Sequence, residues 1–369
     1  MTYFDLRPKS RLEDFYDRRR ELNELRLGIE RREPLILVLG LRRYGKTSLV
    51  LTCMEEYRIP YIYVNCRLLP SPSPISPADL VLLFADGLSA FLNRRRSFLE
   101  KTRNILGRIE GITIVGFNVR IKAAKASYET IIDIFNSINM LGKHIVVVVD
   151  EAQELRRLAR YRFDSLLAYV YDHLPNVTVI LTGSEIGLLY RLIRKGDPEA
   201  PLYGRFYREI KLSPLNSEKS KDFLIKGFKQ EGLNPPNWFI DLAVEKLNGV
   251  IGWLSYLGYY TAVKGIFTRK VVYDVLTEAG RIALSELENF LKLRPLARKR
   301  YIAILKGIAQ LGEASWSRIY RLAEAEAGRI PKPTFNEMLH NLLDASFIQK
   351  KNSVYRIADP VLRYALINL

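Results

Sequence analysis

The sequence is poor in cysteine, in long apolar runs and in acidic residues. Its two cysteines, Cys53 and Cys66, among 369 residues are too few for a disulfide framework or a four-ligand zinc site, so both are expected reduced and packed. No apolar run approaches the ~18–20 residues needed to cross a bilayer. The most apolar strand candidate, Ile145–Val149, ends in Asp150, and no membrane partner is expected. The first residues, MTYFDLRPKSRLEDFYDRRR, are charged where a signal peptide would be apolar, which points to a cytoplasmic protein. No internal repeat is present. The acidic deficit is large: 57 Lys and Arg against 40 Asp and Glu give a formal charge of +17. A field of that sign attracts phosphates, although heat-adapted proteins also carry charge-rich surfaces. Hydrophobic residues at 48% and charged ones at 26% exclude a disordered or fibrous chain.

Patterning divides the chain into three expected parts: 1–214, 215–293 and 294–369. In the first, Leu35–Gly40, Tyr61–Asn65, Ile145–Asp150, Val177–Thr182 and Glu209–Leu212 read as buried strands. Helical periodicity occupies 46–57, 78–94, 127–141, 158–173 and 184–194 between them. Such alternation implies an α/β fold, with a parallel sheet covered on both faces. The Pro/Ser-rich stretch 66–77 reads as a loop, and 99–126 as an insertion containing a basic helix and a hairpin around Gly116. The second part reads as helical, with Asn216 or Ser217 as a cap. The third reads as three helices and two short strands, Phe347–Lys350 and Val354–Ile357, the winged-helix order.

Gly40-Leu41-Arg42-Arg43-Tyr44-Gly45-Lys46-Thr47 fits the phosphate-loop pattern and lies between an apolar strand and a helix, as its physics requires. Its amides turn inward on a triphosphate, Lys46 reaches the β- and γ-phosphates, and the Thr47 hydroxyl coordinates Mg²⁺. Gly40, Arg42, Arg43, Tyr44, Gly45 and Ser48 complete the candidate nucleotide contacts. Asp150 and Glu151 end the strand 145–150. A carboxylate there suits a Mg²⁺-bound water, and a second one after it suits polarising the attacking water. Ligands of a parallel sheet gather at the carboxyl ends of its strands, which makes Ser184 a candidate for the γ-phosphate; the alternative is a plain helix cap. Arg205 precedes the last strand and is a candidate for neutralising the transferred phosphoryl group, in cis or in trans; the alternative is a structural ion pair.

These residues resemble the archaeal P-loop ATPases placed with the STAND and AAA+ classes. The resemblance rests on Phe15-Tyr16-Asp17-Arg18 with Glu21-Leu22, LGLRRYGKTS (39–48), VVVVDEAQEL (146–155), LTGSE (181–185), YGRF (203–206) and YRIADPVLRYAL (355–366). It implies an AAA+-like P-loop NTPase core, a helical lid and a C-terminal winged helix, with ATP or ADP and Mg²⁺ as cofactors. It also implies that Arg18 lies near the base or ribose. The lid departs from the relatives: in Gly249–Leu254, Ile251 stands where a nucleotide-contacting proline often sits and no sensing arginine is present, so either the lid is not coupled to ATP or the coupling runs through packing of Trp253, the alternative for which is a plain core tryptophan.

The third winged-helix segment, Thr334–Asp344, is expected to turn Met338, Leu339, Leu342 and Leu343 inward and Glu337, Asn341 and Asp344 outward, with Asn336, His340 and Asn341 able to read base edges. Residues 298–369 carry 12 Lys and Arg against 6 Asp and Glu, a net +6. The preferred expectation is an ATP-binding, Mg²⁺-dependent ATPase that works as a slow molecular switch. Its winged helix would pack on the core or relay its state to an unidentified protein partner, in a monomer or a nucleotide-dependent oligomer. The alternatives are a DNA-remodelling or origin-loading ATPase, with DNA as the partner of the winged helix, and a nucleotide-gated scaffold without turnover.

Overall fold

Three runs rich in Val, Ile and Leu form the middle of a five-stranded sheet and leave no face for water. In the computed structural model, which describes residues 2–70, 74–158 and 161–369, the five strands are β1 (Leu35–Leu39), β2 (Tyr61–Asn65), β5 (Ile145–Asp150), β6 (Val177–Gly183) and β7 (Arg208–Lys211). They form one parallel sheet in the order β2-β5-β6-β1-β7. Every residue of β1, β5 and β6 is buried, the signature of a sheet covered on both faces.

The chain folds as two compact units. One comprises Pro8–Gly40 and Lys46–Leu212 and contains this sheet. Its helices are α1 (Arg19–Glu30), α2 (Lys46–Glu56), α3 (Pro77–Arg94), α4 (Leu99–Leu106), α5 (Tyr128–Met140), α6 (Phe163–His173) and α7 (Ile186–Leu192). Ser76 and Asp79 form a reciprocal capping box that starts α3, and Leu80, Phe84, Leu88 and Phe91 of its inner face are buried. The insertion is α4 followed by the hairpin β3 (Ile112–Val115) and β4 (Asn118–Ile121). The expected loop at 66–77 begins with a short 3-10 turn, Cys66–Leu68, and its residues 71–73 lie outside the described ones. The segment after β5 is a 3-10 turn, Ala152–Arg157, and α6 starts at Phe163, later than the periodicity suggested. Residues 159–160 of that expected helix also lie outside the described ones. Cys53 and Cys66 are free and buried.

The other unit holds the first residues through Arg7, Leu41–Gly45 and Ser213–Leu369. Phe4 is buried edge-on to Phe223 and Phe228, which fixes the N-terminal residues among helices far away in sequence. The helices of this unit before the winged helix are α8 (Ser217–Gln230), α9 (Asn237–Leu247), α10 (Ile251–Lys264) and α11 (Arg269–Lys292). Asn216 caps α8. The winged helix follows as α12 (Arg298–Leu311), β8 (Ala314–Ser315), α13 (Trp316–Ala327), α14 (Lys332–Asp344), β9 (Ile348–Lys351) and β10 (Val354–Ile357). Its sheet has three strands, β8-β10-β9, one more than periodicity suggested, because a two-residue strand carries no period. A last helix, α15 (Pro360–Ile367), packs on α11, with Ala365 at the level of Gly280.

Among the described residues no helix is long and apolar enough to cross a membrane.

Candidate nucleotide site

Parallel register brings the site together. Asn65 of β2 pairs with Asp150 of β5, and Val149 pairs with Leu181 of β6, so three strands end at one level. Lys46 and Thr47 open α2 directly after β1 and the loop, where the helix N-terminus adds partial positive charge. Gly45 has φ +88°, a conformation that an L side chain resists.

Asp150 is almost fully buried and surrounded by hydroxyls. The Thr47 hydroxyl lies 3.1 Å from both carboxylate oxygens. Tyr63 donates to Oδ2 at 2.7 Å and Thr182 to Oδ1 at 2.5 Å. Thr182 Oγ1 also accepts the Glu151 amide at 3.0 Å, joining the tips of β5 and β6. Burial, with Asp150 beside it, pushes the Tyr63 phenol up, so it stays a donor.

Glu151 leaves β5 in the left-handed region, with φ 54°, and its buried carboxylate has a full set of donors. Arg67 donates to Oε1 at 2.7 Å, and the Lys46 ammonium lies 3.9 Å from the same oxygen. Gln153 at 2.6 Å and the Ser184 hydroxyl at 2.5 Å donate to Oε2. Burial alone would push this carboxyl up; the charges of Lys46 and Arg67 and the hydrogen bonds from Gln153 and Ser184 outweigh it and hold it at about 2. Glu151 is therefore an ionised group that the protein itself occupies fully.

Of the expected residues, Lys46, Thr47, Asp150, Glu151 and Ser184 converge. Ser184 does not cap α7, which starts after Glu185 without a side-chain cap. Ser48 Oγ accepts the Lys9 amide at 3.0 Å. Arg18 is buried and pairs with Glu21 at 3.0 Å. Arg205 grips Asp172 through two nitrogens, at 3.0 and 2.7 Å, and donates to the Pro201 carbonyl; the structure does not bring it to the cluster. Gly40 ends the first unit's share of the loop, and Leu41–Gly45 group with the other unit. There Arg42 and Arg43 both pair with Glu286, and Tyr44 is buried.

Sequence reasoning missed Tyr63, Arg67, Gln153 and the pairing of Thr182. Tyr63 and Thr182 carry a signal, a polar group near the end of a buried strand. Arg67, in a Pro-rich stretch among many arginines, carries none.

Residues 15–243 match the family described as the ATPase domain predominantly from Archaea. The chain belongs to this archaeal ATPase family. The ATPase also matches, over 295–358, the C-terminal winged helix-turn-helix domain of MCM proteins. The solved structure of the Walker-type ATPase PABY2304 of Pyrococcus abyssi is similar to it, with a TM-score of 0.83 and 34% identity over 99% of each chain. The ORC2 protein of Aeropyrum pernix, solved in ADPNP–ADP complexes, shares its fold at a TM-score of 0.59 and 14% identity, covering 98% of this chain and 93% of that one. No curated protein matches. The ATPase thus has a P-loop NTPase sheet, a winged helix and a site that binds nucleotide.

Proposed function

We propose that this ATPase is a Mg²⁺-dependent molecular switch. The observation that supports it most is the convergence of Thr47 and Asp150, 3.1 Å apart, beside a Glu151 whose carboxylate is already engaged. A hydroxyl and one carboxylate suit Mg²⁺, which keeps most of its water and takes its other oxygens from substrate phosphates. Bound there, Mg²⁺ would neutralise charge on the β- and γ-phosphates.

In this reading Lys46 holds the phosphates, Thr47 and Asp150 hold the ion, and Glu151 orients and polarises water. Tyr63 and Thr182 fix the Asp150 carboxylate. Ser184, Gln153 and Arg67 hold Glu151, so basal turnover is slow until some of these bonds are exchanged. Glu151→Gln is expected to keep ATP binding and lose turnover by about 100-fold or more. Turnover equal to the parent's would remove Glu151 from the mechanism.

The match to the MCM winged helix and the net +6 of residues 298–369 favour a second reading, duplex DNA as the partner. Helix α14 offers it little. Phe335, Met338, Leu339 and Leu342 are its buried residues, while Leu343, Asn341 and Asp344 are half-buried, a rotation from the face expected. Asn336 accepts the Trp316 indole at 2.6 Å and Asn341 donates to Tyr301 at 3.1 Å, so two of the three candidate base readers serve packing. Duplex-stimulated turnover that falls steeply with salt would establish DNA as the partner. Unchanged turnover with saturating duplex at low salt would exclude it.

A further inference from the structure

The two arginines at variable positions of the phosphate loop are engaged before any nucleotide arrives. Arg43 forms a two-pronged pair with Glu286 of α11, at 2.6 and 3.2 Å, and Arg42 reaches the same carboxylate at 3.1 Å. One negative charge thus serves two positive ones. The Arg43 guanidinium also lies over the Trp253 ring, 4.0 Å from its centre, within cation–π range. Trp253, 2% exposed, donates its indole N–H to both Asp359 oxygens at 3.0 and 3.1 Å. Asp359 in turn caps α15 by accepting the Val361 amide at 2.8 Å.

The backbone of Arg43 is held as well. Its φ is +66°, unusual for a side chain of that size. Its carbonyl accepts the Gly252 amide at 3.0 Å, and a Cβ on Gly252 would come within 2.6 Å of the Arg43 Cβ. Strained backbone persists only where its surroundings over-determine it, and here main chain, ion pair and ring all do so. Burial pushes the Asp359 carboxyl up, while the indole, the Arg43 charge and two amides of α15 pull it down, so the charge of the loop arginine is felt at the cap of the last helix.

We infer that Arg43 is the relay of the switch: phosphates in the loop compete with Glu286 for Arg42 and Arg43, and the guanidinium's departure from Trp253 loosens the Asp359 cap of α15. This rests on ATP binding at the Gly40–Thr47 loop and adds the route by which occupancy reaches the winged helix. The chemistry is that of a carboxylate and a polyphosphate competing for the same forks, which a guanidinium accepts in either case. A triphosphate brings several negative charges against the single one of Glu286. Displacement then reaches Asp359 through two contacts, one ring face and one indole N–H.

The chain has three tryptophans, so the full-length protein carrying Trp238→Phe and Trp316→Phe keeps Trp253 as its one indole reporter. Mg·ADP and Mg·ATPγS are titrated in, with Trp253 emission and calorimetric heat followed in parallel. The relay predicts that emission changes over the concentration range in which heat is released. It also predicts that Glu286→Gln, which removes the competitor, shifts both midpoints about tenfold lower. Glu286→Asp, too short for the two-pronged pair, shifts them in the same direction by less and serves should Glu286→Gln fold poorly. Heat without any change in emission would overturn the relay and leave ATP binding standing; absence of heat would overturn both. Midpoints unmoved in both Glu286 variants would overturn the competition on which the relay depends.

Discussion

The engaged state of Glu151 makes a quantitative prediction about acid stability. Its carboxyl is held at about 2 rather than the ordinary 4.5, which corresponds to roughly 3 kcal/mol favouring the folded, ionised form. Because the folded value lies below the unfolded one, this contribution is complete above about pH 4.5 and disappears as pH falls through about 2. Between about pH 7 and about pH 3.5 the parent loses on the order of 1 kcal/mol from this group. Glu151→Gln, which cannot titrate, loses none of it. Urea unfolding of both proteins, in parallel at these two pH values, should therefore show the parent's stability falling by that much more than the variant's. Taking the difference between the two proteins cancels the titrating groups remote from Glu151. Parallel losses would mean that Lys46, Arg67 and Ser184 do not hold the carboxylate in solution, and the reading of Glu151 as an engaged base would fail with them.

Other consequences are equally direct. Lys46→Ala removes the buried ammonium that faces both Glu151 and the expected phosphates, and should weaken ATP binding by roughly 100-fold or more by calorimetry. Arg67→Ala removes the shorter of the two cationic contacts on Glu151; the carboxyl rises toward its ordinary value and single-turnover hydrolysis should speed up several-fold, whereas a slower rate would make Arg67 part of the reacting site. Gly249→Ala places a Cβ 1.9 Å from the Leu215 carbonyl oxygen at φ +73°, and should cost roughly 2–3 kcal/mol in chemical denaturation. Arg205→Ala breaks the pair with Asp172, whose carboxyl that hydrogen-bonded guanidinium holds low. If Arg205 acts only there, turnover per bound ATP is unchanged; a large drop would place it in the reaction, in cis or in trans.

Local pattern was enough for most of the elements and to single out the phosphate loop and its acids as the candidate site. Tyr61–Asn65 and Ile145–Asp150 occur as strands with the bounds their composition implies, because a buried strand must be apolar and its end must not be. The phosphate loop and the adjacent acids are legible for a related reason: they are short covalent runs whose chemistry depends on neighbours in sequence. What surrounds them depends on register and packing. Glu151 meets Arg67, 84 residues away, and Arg43 meets Glu286, 243 residues away. Arg205 turns to Asp172 rather than to the cluster. With 57 basic and 40 acidic side chains, composition allows a great many ion pairs and has no means of choosing among them. Only the alignment of strand tips and the seating of helices select which charges meet.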